Sequence, residues 1–151
     1  MRLHLGCGNN YIKGWVNVDS DKNVKADIHR DLEKGLPFGD NTVKEVFSKY
    51  MVEHIKDDVF LMNEIYRVCK NKARVHIIVP SGHGTGAFDW GHKSFWNLRK
   101  FRYLSRKERK DYCGLECNFI VKNVDERVER SVESEKEVGA LILDVVLEVV
   151  K

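Results

Sequence analysis

The 151-residue sequence predicts an α/β sandwich built on a mostly parallel sheet, with an antiparallel strand pair at its C-terminal end. Three observations predict it. Apolar runs of strand length alternate with turn-rich or helical segments through residues 2–80. The segment 56–69 repeats its apolar residues at helical spacing. Two further runs, 118–128 and 139–150, are joined only by a charged turn.

Taken in order, Leu3 to Leu5 is the first short strand, and residues 6–14 form a loop rich in Gly and Asn. Trp15 to Val18 is the second strand, closed by Asp19-Ser20-Asp21. Residues 26–32 give a short third strand or an extended segment. Gly35, Pro37 and Gly39 then punctuate a turn-rich stretch, and Val43 to Lys49 is the next strand. Val59, Phe60, Met62, Ile65, Tyr66 and Val68 make residues 56–69 an amphipathic helix. The run RVHIIV, residues 74–79, is the clearest strand, and Pro80 stops it. From Ser81 the glycines predict a mobile loop, and Phe88, Trp90, Phe95 and Trp96 predict packing against something. Residues 97–112 read as a basic helix.

The length suits one domain, residues 1–151, with a real core. With 42% hydrophobic and 32% charged residues, the chain is of the globular class rather than the disordered one. No apolar run approaches bilayer length, and the chain enters its first strand without a signal peptide's charged start. A cytoplasmic protein with no membrane partner is expected. Cys7, Cys69, Cys113 and Cys117 are scattered as thiols in a reducing compartment are, not framed as a disulfide scaffold. A net charge of +3 excludes a general polyanion binder, although Arg99, Lys100, Arg102, Arg106, Lys107, Arg109 and Lys110 concentrate positive charge in one stretch.

The chemistry-bearing residues converge on the carboxyl ends of the strands, where open α/β sheets bind ligands. Gly6 and Gly8 allow a sharp turn and close backbone approach, and the N–H groups that follow could face an anion. An ordinary tight turn explains the same glycines. Asp19 ends the second strand, where a carboxylate can accept two hydrogen bonds from a ribose diol; a turn cap is the alternative.

The order LHLGCG, GWVNVD, DLEKGLPFGDNTVKEVFSKYMVEHI and FLMNEIYRVCKNKARVHIIVP resembles the class I S-adenosylmethionine-dependent methyltransferases, in particular the small type 11-like group. The resemblance runs from about Arg2 to Pro80, with a looser echo in DWGHKSFW. It implies a Rossmann-like methyltransferase sandwich and S-adenosylmethionine as cofactor, released as S-adenosylhomocysteine. It implies that Gly6, Cys7 and Gly8 line the methionine end, that Asp19 holds the ribose and that Ser20 lies beside the adenine. Asp31 and Leu32 would sit at the adenine edge; Ser48, Lys49 and Tyr50 would border the sulfonium, and His54 would close that wall. Two departures stand out. His4 occupies a position where the family often has an acid. The link between the first two strands is also too short for a full crossover helix, so that helix is expected to be reduced or absent.

Methyl transfer is an in-line displacement that needs alignment and exclusion of water, with a base only for acceptors of high pKa. Asp89 and His92, on the loop after the RVHIIV strand, are the candidate catalytic pair. The expected activity is methylation of an O or N atom of a small-molecule or glycan acceptor. The alternatives are a non-catalytic binding or assembly subunit of the same fold, and an RNA methyltransferase using the basic 99–110 stretch. Nucleic acid is the less favoured partner, because no added recognition module is visible. A homodimer through the terminal strand pair is compatible with the pattern. No metal site is expected: Cys113-x3-Cys117 with His83 and His92 is a loose zinc pattern, better explained by buried thiols.

Overall fold

The computed structural model describes residues 1–105, 113–133 and 136–151. Its strands are β1 (Arg2–Leu5), β2 (Val16–Asp19), β3 (Ile28–His29), β4 (Val43–Lys49), β5 (Cys69–Pro80), β6 (Phe119–Glu133) and β7 (Lys136–Val149). They form one sheet in the order β3-β2-β1-β4-β5-β7-β6. β1 to β5 pair in parallel, and β7 runs antiparallel to both β5 and β6. The strand order reverses between β1 and β4, which makes that edge the crevice for a ligand.

The β1–β2 link contains no helix. Asn17 does the work a helix would do. Its fully buried side chain accepts from Ile12 N–H at 2.9 Å and donates to the carbonyls of Ile12 and Trp15 at 3.0 and 3.1 Å. At the other end of the loop, Gly6 and Cys7 N–H both donate to Val18 O, at 2.8 and 3.2 Å. One amide thus satisfies backbone groups that would otherwise be orphaned beside the sheet.

Two α-helices are present among the described residues, α1 (Asp58–Val68) and α2 (Leu98–Tyr103). Asp57 caps α1 by accepting from Phe60 N–H at 2.8 Å. Leu61, Met62, Ile65 and Val68 lie on one helical face and are buried. They join Leu3, Leu5, Val46, Val75, Ile77, Val145 and Leu147 in a single apolar cluster, which also takes in Trp96 and Phe101. Both helices therefore cover the same face of the sheet.

The alternate strand positions carry His4, Phe47 and His76, whose rings contact in series at 5.1 and 5.2 Å. Trp15 lies edge-on to Phe47, with Arg2 over the Trp15 ring. The row continues through His76 Nε2 to Asp144 at 2.7 Å and Asp144 to Arg127 at 2.8 Å. No α-helix covers this face among the described residues. A doubly wound sheet is normally covered on both faces. Here rings and ion pairs replace the helices that the short β1–β2 and β2–β3 links leave no chain to form.

Some boundaries differ from the sequence expectation. β5 starts at Cys69 rather than Arg74, because α1 passes directly into the strand and the ladder absorbs extra residues in a bulge, with Lys72 at φ +65°. β3 shrinks to Ile28–His29, held to β2 by Asp27 N–H to Asn17 O and Arg30 N–H to Asp19 O, both 2.8 Å. The described part of the basic helix ends at Tyr103, and residues 106–112 lie outside the described residues. β6 and β7 are longer than expected and reach past the end of β5. None of the described helices is long and apolar enough to cross a membrane.

Candidate active site

The sheet's carboxyl edge opens into a cleft of about 540 Å³ beside Gly6, Gly8, Asp19 and Ser20 from the first two strand ends. Arg30, Asp31, Leu32 and Glu33 form one wall. Tyr50, Met51, His54 and Ile55 form the opposite one, and Gly91 and Lys93 close the rim. The size lies within the usual range for a small-molecule site.

Gly6 sits at φ +67°, and a Cβ there would stand 2.2 Å from Met51 Cγ. A side chain would therefore have to displace the wall of the cleft as well as strain the backbone. Gly8, at φ +48°, turns its N–H onto Asp19 Oδ2 at 2.7 Å. Asp21 N–H donates to the other oxygen, Oδ1, at 2.9 Å. The Asp19 carboxylate is thus pinned by two backbone donors, and each oxygen keeps a lone pair for a ligand. Asp31 caps the 3₁₀ turn Leu32–Lys34 by accepting from Glu33 N–H at 3.0 Å. Glu33 Oε1 in turn accepts from Lys56 N–H at 2.9 Å and Lys93 Nζ at 3.1 Å, tying the two walls together.

Of the residues expected from sequence, Gly6, Gly8, Asp19, Ser20, Asp31, Leu32, Tyr50 and His54 are brought to this cleft. Cys7 is buried beneath it, its Sγ 3.6 Å from Lys25 O. Ser48 is fully buried, and its hydroxyl has no partner. Lys49 turns to Glu129 on β6 at 3.0 Å. The Tyr50 hydroxyl also bonds Glu129; burial, and then that bond, push its pKa well above the usual phenol value. His4 is buried on the other face against Asn17, so it offers nothing to the cleft.

Asp89 and His92 share only a backbone bond, His92 N–H to Asp89 O at 3.1 Å. Asp89 is exposed, and the His92 ring turns its Nδ1 to Ala87 O instead. Of the aromatics expected to pack, Trp96 is buried, Phe88 and Phe95 lie against each other at 5.1 Å between ring centroids while staying partly exposed, and Trp90 is exposed. The Ser81–Gly91 loop contains a 3₁₀ turn, Thr85–Phe88, and is anchored by Gly82 N–H to Trp96 O at 2.6 Å.

Several cleft residues carry no sequence signal of their own. Arg30, Glu33, Met51, Ile55 and Lys93 reach it only through the fold. Glu53 lies just behind the wall, 2% exposed, and burial pushes its carboxyl up to about 7. The Glu-His-Ile run was the one available signal for it.

A family model for a methyltransferase domain matches residues 3–77. The fold is that of several solved proteins. A SAM-dependent methyltransferase from Archaeoglobus fulgidus superposes with a TM-score of 0.66 at 15% identity, over 97% of this chain and 85% of its own. One from Aquifex aeolicus gives 0.63 at 17% identity, over 99% and 81%. The YcgJ protein of Bacillus subtilis gives 0.66 at 11% identity, over 99% and 91%. No curated protein matches the sequence. Residues 3–77 thus carry a methyltransferase domain of the S-adenosylmethionine-dependent class, whose enzymes take a methyl group from that sulfonium cofactor.

Proposed function

We propose that this chain binds S-adenosylmethionine in the 540 Å³ cleft and transfers its methyl group to an O or N atom of a small-molecule or glycan acceptor. The observation that carries this reading is Asp19: a carboxylate at the switch-point edge, pre-oriented by two backbone N–H groups, with glycines beside it. Asp19 takes the ribose diol. Gly6 and Gly8 admit the methionine end, and Asp31 and Leu32 take the adenine edge. Tyr50 and His54 face the sulfonium side.

The chemistry asks little of a base. Displacement at the methyl carbon forms the bond to the acceptor as the S–CH3 bond breaks, leaving S-adenosylhomocysteine with a neutral thioether, while the acceptor's O–H or N–H proton passes to water. The enzyme's contribution is alignment and a dry approach. Exposed Trp90 and the mutually packed, partly exposed pair Phe88 and Phe95, 5.1 Å between ring centroids, follow β5 in the segment that carries the rim residue Gly91. Such aromatic faces offer packing for a ring-shaped acceptor, which supports a small molecule or a sugar. The test is titration calorimetry with S-adenosylmethionine and S-adenosylhomocysteine. Saturable heat with both, weakened at least tenfold in Asp19→Ala, is expected. Absence of heat with either at millimolar concentration would overturn the reading.

A further inference from the structure

We propose that Glu53, His54 and His92 form a binding site for a divalent transition cation of the zinc class, on the wall of the same cleft. Each offers one ligand atom, and the three atoms lie within 4.8 Å of one another. Two imidazoles and a carboxylate are the donor set that zinc and its first-row neighbours take, and one that calcium and magnesium avoid.

The hydrogen bonds around the histidines set their tautomers. A carbonyl can only accept, so His54 donates Nδ1–H to Gly91 O at 3.2 Å, and His92 donates Nδ1–H to Ala87 O at 3.1 Å. Both rings then keep a lone pair on Nε2. Metal-bound histidines are held in this way by an outer carbonyl. The rings meet edge to face, their centroids 4.9 Å apart.

Glu53 supplies the second, independent observation. It is 2% exposed, and its Oε2 has no hydrogen-bond partner among the described residues. A buried carboxylate oxygen left orphaned is costly, and a cation would satisfy it. The two chain segments are also clamped in place. Glu53 and His54 lie on the 3₁₀ turn Val52–His54, and the Glu53 carbonyl accepts from Lys93 and Ser94 N–H at 2.7 and 3.0 Å. That clamp holds His92 beside them. Donors on a tetrahedral zinc stand roughly 3.4 Å apart, given bonds of about 2.05 Å. The three atoms therefore draw closer together when a cation binds, and His54 is the exposed member of the set.

Three protein donors leave coordination positions open, as catalytic rather than structural sites do. His54 and Gly91 both line the cleft, so those positions adjoin it. There they would take water or an acceptor oxygen. Only this last point rests on the methyl-transfer reading; the metal site itself does not.

The test is titration of EDTA-stripped protein with Co²⁺, read by its visible ligand-field bands, and with Zn²⁺, read by calorimetry, both without S-adenosylmethionine. One equivalent of each is expected. His54→Ala, His92→Ala and Glu53→Gln should each weaken binding at least tenfold, while His83→Ala and Cys113→Ser leave it unchanged. His54 is exposed, so its variant reports on the site even if Glu53→Gln disturbs the fold. No band and no heat at millimolar metal would overturn the proposal. So would binding that survives both histidine variants, or binding lost in Cys113→Ser. Methyl-donor affinity is measured separately, so either reading can fail alone.

Discussion

A single glycine and a single aspartate carry most of the argument at the scale of residues. Gly6 combines a positive φ with a wall of the cleft 2.2 Å from where a Cβ would stand. Gly6→Ala is expected to cost about 1–3 kcal/mol in urea unfolding, from backbone strain and overpacking against Met51. It should also weaken S-adenosylmethionine more than Gly8→Ala does, since a Cβ at Gly8 meets nothing within 4 Å. Equal losses from the two variants would show that φ alone matters. Gly6, Gly8 and Asp19 were legible in the sequence because their chemistry is local: a turn needs glycine, and a strand end displays its acid. The placement of Cys7, Ser48 and Lys49 was not, because it depends on β-sheet pleat and on β6. Glu129, 80 positions beyond Lys49, takes up that lysine.

At the scale of elements, α1 is the clearest success of sequence periodicity, and its start follows from the Asp57 cap. Removing the cap in Asp57→Ala should cost about 1 kcal/mol, read as a lower urea midpoint with unchanged slope. The helix also carries an acid-sensitive tie to the turn before β4. Arg67 donates from Nε to Glu64 Oε1 at 2.6 Å, and Leu36 N–H donates to Glu64 Oε2 at 2.8 Å. Arg67, and then Leu36 N–H, hold the Glu64 pKa below its ordinary value of 4.5 despite partial burial. A lowered carboxylate pKa adds stability above that value, and the contribution fades as pH falls through the folded value. Stability should therefore drop in the parent as pH falls below 4.5 and through the lower folded-state value, and less steeply in Glu64→Gln. Parallel pH profiles of urea midpoints for the two proteins would contradict the assignment. The start of β5 was not legible for the opposite reason: no glycine or proline marks the passage from α1 into the strand, and Lys72 takes up positive φ without a signal.

Across the whole molecule, the helices among the described residues lie on one face of an open, mostly parallel sheet. The short link over residues 6–14 announced a reduced or absent first helix, since so few residues cannot make a full crossover. What replaces it was not announced. Asn17 holds the loop, and the His4–Phe47–His76 row dresses the other face. These contacts join strands that lie far apart in sequence, so no window of residues reveals them. Asn17→Ala should accordingly destabilise the protein by about 1–3 kcal/mol, because Ile12 N–H and the Trp15 carbonyl lose their partner. It should also weaken S-adenosylmethionine, since the same loop carries Gly6 and Gly8. On the proposed function, this reduced scaffold still builds a complete cofactor cleft around Asp19. A crystal structure with S-adenosylhomocysteine tests it most directly. The account predicts the ribose hydroxyls on the Asp19 carboxylate, the homocysteine tail against Gly6 and Gly8, and the adenine beside Leu32. A ligand bound elsewhere, or a ribose turned away from Asp19, would contradict it.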